Sequence, residues 1–346
     1  MPIAGSYRSI DFTLSNMSNS HVQKVAVFTQ YNAGSLNRHL NSSKWWDFGR
    51  KQGGLFVLTP AMTNSNSSWY RGTADAIYQN IGFLKESHEP YVIVASGDCV
   101  YKMDFNTLLE YHVDKKADIT VVCKDMPEDT DMSRYGTVMM NEDMRVVGFE
   151  EKPLQPKTRT ISCGIYIIRR RLLIDLIEKC AEEDRYDFVR DVIIRYRDIK
   201  RIFGYKVPSY WKNIASVEDY YETNMDFLKP EVRDYFFNNY PNIYSKVDDL
   251  PPAKYNPGAY MKNALVSSGC IVNGKVENSV LFKSSYIGNN AVIRNSIILN
   301  DVYIGDNAVI ENCIVESHST INGGEQHRGE EGRIKVLVEQ RERFVM

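Results

Sequence analysis

Long apolar runs are missing from this sequence of 346 residues. No stretch approaches the roughly 18 consecutive apolar residues that a membrane span needs, so no membrane partner is expected. An excess of charge is missing as well: 42 Lys and Arg face 44 Asp and Glu, for a formal net charge of -2. These charges are spread along the chain, which argues against nucleic acid as a partner. Cysteines are few and far apart, at Cys99, Cys123, Cys163, Cys180, Cys270 and Cys313, without a C-x-x-C pair. Zinc knuckles and dithiol redox motifs are thereby set aside, and reduced thiols in a cytoplasmic protein are the economical reading. Arg8 and Asp11 stand where a secretory signal would require apolar residues, so export is not indicated.

What is present is the composition of a globular protein, 43% hydrophobic and 25% charged, long enough for two domains. Up to about residue 228 the chain alternates short β-rich runs with helical patterns. The runs 22–29, 91–96, 118–123 and 162–168 read as strands. Residues 72–86 carry an apolar stripe, Ile77, Ile81 and Leu84, at helical spacing, and 104–115 reads as a helix opened by Asp104. This alternation predicts an α/β layer fold with a largely parallel sheet, which binds ligands beyond the C-terminal ends of its strands.

The grammar then changes. Residues 229–257, rich in Tyr, Asn and Pro, read as a linker. Beyond it, similar segments start seventeen residues apart at Val276, Ile293 and Ile310, and Tyr286-Ile-Gly-Asn-Asn-Ala-Val is echoed by Tyr303-Ile-Gly-Asp-Asn-Ala-Val. Val280, Tyr286, Val292, Ile298, Ile304 and Ile310 recur every six residues. Such hexads predict a parallel β-helix with aliphatics stacked inside. A β-sandwich has no reason to keep one period over three copies. An acyltransferase of the hexapeptide class would need histidine between coils, and only His318 and His327 are available, at the ragged end of the repeat.

Five ordered segments of the first half carry chemistry: Trp69-Tyr-Arg-Gly-Thr-Ala-Asp-Ala76, Ser96-Gly-Asp-Cys-Val-Tyr-Lys-Met-Asp104, Phe149-Glu-Glu-Lys-Pro153, Ser162-Cys-Gly-Ile-Tyr166 and Tyr210-Trp-Lys-Asn213. Asp98 follows the apolar run 91–95, where a carboxylate can meet Mg²⁺ and a phosphate; its bland reading is a helix cap. Glu151 and Lys152 precede Pro153 and should be pinned in an extended turn, or else be a solvated charge pair. Tyr166 and Trp211 pass equally as core aromatics, and Arg169-Arg170-Arg171 as a solvated helix start rather than an anion site.

In order and spacing these segments resemble the glucose-1-phosphate adenylyltransferases, and the resemblance covers nearly the whole chain. It implies a sugar-nucleotidyltransferase (GT-A/Rossmann-like) sheet over 1–228, followed by a left-handed parallel β-helix of hexapeptide repeats over 258–346. It also implies that ATP and glucose 1-phosphate are joined into ADP-glucose and pyrophosphate with Mg²⁺. Carried over residue by residue, Glu151, Lys152, Ser162, Tyr166, Asp187, Phe188 and Trp211 match the sugar-phosphate site. Tyr70, Gly72 and Asp98 match the nucleotide site, with Asp98 as metal ligand.

The departures from the family pattern lie on the nucleotide side. The first strand and the Gly-rich, Arg-containing loop that cradles the triphosphate have no counterpart, Met1 to Arg8 aligning just downstream, so the sheet is expected to be N-terminally incomplete through a truncated record or an internal start. Asn213 stands where the pattern Tyr-Trp-x-Asp-x-Gly has the second metal carboxylate, so Mg²⁺ binding should be weak or absent. Met62 and Thr63 replace two polar residues on the adenine side. The combination resembles the GlgD-type regulatory subunit, which pairs with a catalytic partner. An active nucleotidyltransferase with a lost N-terminus and a free sugar-phosphate sensor remain the alternatives.

Overall fold

Each strand run expected in the first half forms, with small shifts of its ends, but the pairing between strands departs from expectation. The computed structural model describes residues 1–31, 33–41, 43–49, 53–60, 69–330 and 332–338. The chain divides into two units. One, here the sheet unit, comprises Asn16–Gly97 and Lys102–Trp211; the other, the coil unit, comprises Met1–Ser15, Asp98–Tyr101 and Lys212–Met346.

The sheet unit is organised by one long strand, Thr160–Arg169, antiparallel to Ile119–Asp125, Tyr91–Ala95 and Gly136–Met140. Val146–Glu151 adds antiparallel to Gly136–Met140, and Ile202–Lys206 adds parallel to Ile119–Asp125. A separate parallel pair joins Lys24–Phe28 to Gly54–Leu58. The largely parallel sheet expected from strand–helix alternation is therefore corrected to a mixed one. Alternation alone does not reveal that a single ten-residue strand returns between others through loops rather than helical crossovers. The sheet packs against Arg170–Glu182, which buries Leu173, Leu176, Ile177 and Cys180 into one cluster with Ile119, Val121, Tyr166 and Ile168.

The helix expected over 72–86 is two, Thr73–Gln79 and Ile81–Lys85, divided at Asn80. The Asn80 amide donates to the Ala76 carbonyl at 2.9 Å and to the Tyr70 hydroxyl at 2.9 Å, the local competition with the helix ladder that Asn brings. Asp104 opens Phe105–Asp114 as expected, accepting from the Asn106 amide at 2.9 Å. Arg170 donates to the carbonyls of Glu89 and Leu84 at 2.9 Å each, a structural use of the arginine run.

In the coil unit the repeat segments stack in parallel register, Val276 beside Ile293, Ile293 beside Ile310, and Ile310 beside His327. Two further columns complete each turn, Ile287–Ile304–Ile321 and Leu281–Ile298–Val315. All of these aliphatics belong to the interior stack. This is a parallel β-helix of the left-handed hexapeptide type. The strict six-residue count is corrected: steps between interior positions run five, six and six, giving seventeen per turn. Counting in sixes therefore drifts by one residue per turn, and Tyr286 and Val292 fall on half-buried outward positions.

Each corner of the coil needs a backbone in the left-handed region, and its occupants recur with the turn. Asn278, Asn295 and Asn312 have φ of 44°, 46° and 52°, and Ser284, Asp301 and His318 have 59°, 58° and 66°. Asn is the side chain that reaches this conformation at least strain. Its amides also bond from turn to turn, Asn295 to Asn312 at 3.2 Å. Outside, Arg294 lies between Glu277 at 3.0 Å and Glu311 at 3.1 Å. Residues 229–257, read as a linker, carry the helix Pro230–Arg233, a helical turn over Asp234–Asn238 and the strand Lys254–Tyr255. Phe236 there is fully buried against Phe12 and Phe227, so the segment is an anchored part of its unit.

Candidate functional site

In the sheet unit three of the residues matched to a sugar phosphate, Ser162, Tyr166 and Phe188, meet at an irregularity of the long strand. Between Ser162 and Tyr166 its register against Ile119–Asp125 slips, and Gly164 there has φ of 68°. A bulge of this kind re-aims side chains. Ser162 Oγ and the Tyr166 hydroxyl lie 3.1 Å apart, and the Gly164 amide donates to Ser162 Oγ at 3.3 Å. Tyr166 packs edge-on against Phe188, ring centroids 5.3 Å apart. Burial pushes the Tyr166 phenol up, with the Ser162 bond partly opposing. Tyr166 and Phe188 both belong to the apolar cluster, so the core reading of Tyr166 holds for its ring while its hydroxyl serves Ser162.

Glu151 ends the strand Val146–Glu151 half-buried. Burial raises its carboxyl; Lys152 opposes, Asp187 adds to the rise and Arg190 opposes. Lys152 is exposed and, contrary to the extended turn expected before proline, has φ of 50°. Its amide donates to the Tyr135 carbonyl at 3.2 Å, which holds the residue in that strained conformation. Asp187 is exposed and accepts from the Arg190 amide at 2.8 Å, capping the turn that follows. Trp211 is buried beside Tyr135, and its indole Nε1–H has no partner among the described residues. A buried donor without a partner is costly, and a bound molecule or water that accepted from it would remove that cost.

The nucleotide-side residues of the sheet unit are held by backbone contacts. The Tyr70 amide donates to Gln30 Oε1 at 2.8 Å. Gly72 lies so close to residue 186 that a Cβ would stand 2.3 Å from the Tyr186 carbonyl oxygen, which is why glycine is required there. Arg71 stacks over Tyr186, guanidinium carbon to ring centroid 3.8 Å. Met62 and Thr63 lie outside the described residues.

The metal-side pair belongs to the coil unit. Asp98 lies between Tyr91–Ala95 and the short strand Cys99–Tyr101, which pairs with Trp211–Asn213, and the Ile214 amide donates to the Asp98 carbonyl at 3.0 Å. No helix starts at Asp98, so its reading as a helix cap is excluded; Asp104 fills that role. Between Asp98 and Asn213 sits the buried thiol of Cys99, which sequence reasoning left as an ordinary reduced cysteine. The Asn213 amide donates to Cys99 Sγ at 3.5 Å, and the thiol donates to Asp98 Oδ1 at 3.4 Å. Burial, and after it the Asp98 charge, push that thiol well up, so it stays protonated. Mg²⁺ takes hard oxygen ligands in a near-octahedral shell. One carboxylate bonded to a thiol, and one amide whose NH₂ is turned to the same sulfur, do not suit it. Among the described residues there is no group of three or more His, Cys, Asp or Glu that could hold a metal ion.

At the end of the coil His318 faces Asp301 at 3.7 Å, and His327 bonds Glu325 at 2.9 Å. All six cysteines are free and buried, and no helix of the described residues is long and apolar enough to cross a membrane.

A mixed sheet bearing this set, together with a hexapeptide coil, defines the class. The nucleotidyl transferase family model matches residues 1–230, and the GlmU-like, C-terminal hexapeptide model matches residues 251–331. The glucose-1-phosphate adenylyltransferase of Clostridium novyi is 41% identical over 295 residues, 84% of this chain and 77% of the relative. That of Geobacillus stearothermophilus is 41% identical over 84% of this chain and 76% of its own length. That of Thermosipho africanus is 38% identical over 83% and 70%. The chain belongs to the glucose-1-phosphate adenylyltransferase family.

Proposed function

We propose that this chain is a non-catalytic, regulatory subunit that assembles with a catalytic glucose-1-phosphate adenylyltransferase in the cytoplasm of a bacterium and modulates ADP-glucose formation for glycogen synthesis. The observation that carries the reading is Asn213, which stands where a second metal carboxylate is needed and whose amide is turned to the Cys99 sulfur. Replacing that charge by an amide removes about 4 kcal/mol of attraction for a cation in a partly shielded site. At about 1.4 kcal/mol per tenfold, this amounts to roughly three orders of magnitude in rate. Met62 adds the loss of a polar group on the adenine side, and Thr63 keeps only a hydroxyl there.

The sugar side is kept. Glu151 and Lys152 would hold the hydroxyls and phosphate of glucose 1-phosphate, Ser162 and Asp187 would add polar contacts, and Tyr166, Phe188 and Trp211 would wall the ring. A half-buried carboxylate and an unpartnered indole N–H favour a polar ligand. Calorimetry on the full chain should therefore register glucose 1-phosphate more tightly than Mg-ATP. Tighter Mg-ATP binding that is abolished by Asp98→Ala would favour the second reading, an active nucleotidyltransferase using Asn213 as a neutral ligand.

A further inference from the structure

Asn213, Cys99 and Asp98 form a directed chain of hydrogen bonds: amide N–H to sulfur at 3.5 Å, thiol S–H to carboxylate at 3.4 Å. The direction is fixed by chemistry. A carboxylate only accepts, so the single thiol proton points to Asp98, and the sulfur presents a lone pair to position 213. An amide satisfies that lone pair by donating. A carboxylate at the same position could not donate, and the thiol has no second proton to offer it.

From this we infer that positions 99 and 213 act as a coupled pair, in which Cys99 bars the second carboxylate that a divalent cation would need at position 213. Asn213 and Cys99 fit each other; an aspartate at position 213 fits only once the sulfur is gone. With Cys99 in place, the substitution Asn213→Asp would set a second acceptor against the buried sulfur, at the lone pair that the amide now satisfies. The new carboxylate must then turn away from Asp98, and the two side chains cannot converge on one ion. Removing the sulfur lets both carboxylates face a cation, with water completing the shell. The inference rests on the proposed function only in taking positions 98 and 213 as the metal-facing pair.

Manganese(II) is the probe, since it shares the oxygen preference of Mg²⁺ and its free concentration is read by electron paramagnetic resonance without any turnover. The full chain is titrated as wild type, Asn213→Asp, Cys99→Ala and the double variant, with circular dichroism confirming the fold. The coupled pair predicts that each single variant binds Mn²⁺ within about threefold of the wild type, while the double variant binds at least tenfold more tightly than Asn213→Asp. A control double variant, Asn213→Asp with Cys99→Ser, keeps a single proton for Asp98 and a lone pair toward position 213, and should bind Mn²⁺ like Asn213→Asp alone. If Asn213→Asp alone binds as tightly as its combination with Cys99→Ala, if that combination does not gain, or if the combination with Cys99→Ser gains as much, the coupling is wrong. These outcomes are independent of catalysis: Asn213→Asp binding Mn²⁺ strongly in a chain that still makes no ADP-glucose would remove the coupling and leave the regulatory reading standing.

Discussion

At the scale of single residues, His112 shows what burial does to a titrating group away from the candidate site. Its ring is 1% exposed, Nδ1 lies 2.8 Å from Thr120 Oγ1, and Tyr91 packs edge-on at 5.4 Å. Its pKa is lowered from 6.5 to about 4, chiefly by burial and then by the Arg169 charge, with Asp118 opposing. The folded state therefore holds a neutral ring, and the unfolded chain takes up the proton first as pH falls. Stability present above pH 6.5 is lost as pH falls toward about 4. Between pH 7 and 5 the loss from this group is about 2 kcal/mol. Urea unfolding at both values should show that difference in the wild type and its absence in His112→Leu. An equal pH dependence in both proteins would show that His112 is not the cause.

The candidate site was legible in the sequence unevenly, and the residues show why. Asp98, Glu151 and Ser162 stand in short motifs whose order and spacing survive, so their neighbourhoods could be named in advance. The left-handed backbone of Lys152 could not, because the proline after it argues for an extended chain and only the Tyr135 carbonyl, distant in sequence, reverses that preference. Cys99 was hidden for a different reason. Its role exists only because Asn213, 114 residues later, comes within reach of its sulfur.

At the scale of elements, the coil separates a repeat that is counted from one that is built. The recurrence at 276, 293 and 310 was visible because identical turns need similar residues at similar corners, and Asn278, Asn295 and Asn312 mark one corner in the sequence itself. The unequal steps inside a turn were not visible, since a count in sixes keeps landing on aliphatic residues either side of the true interior. This yields a paired prediction. Ile304 is fully buried in the interior stack, so Ile304→Asp should remove roughly 3 kcal/mol or more and collapse the thermal transition of the coil. Val292 points outward, and Val292→Lys should stay within about 1 kcal/mol of the wild type. Equal damage from both would mean that the five-six-six spacing is misplaced. In the sheet unit the same limit applies: strand positions followed from β-rich runs, but the antiparallel return of Thr160–Arg169 depends on which strands it joins.

At the scale of the whole molecule, family membership and the proposed loss of catalysis are separate statements that rest on different residues. Membership rests on a fold and motif set shared over most of the chain with relatives about 40% identical. The proposed regulatory role rests on the metal-side pair and on the adenine-side residues changed to Met62 and Thr63. The most direct measurement is the rate of ADP-glucose formation from ATP and glucose 1-phosphate. It would be made on the full chain purified alone, on the catalytic subunit alone, and on the two co-expressed. The account predicts no synthesis above background from this chain alone, a stable mixed oligomer on co-expression, and an altered effector response of the catalytic subunit within it. Turnover by this chain alone at a rate near that of its partner would contradict the account, as would a catalytic subunit that neither co-purifies with it nor changes its kinetics.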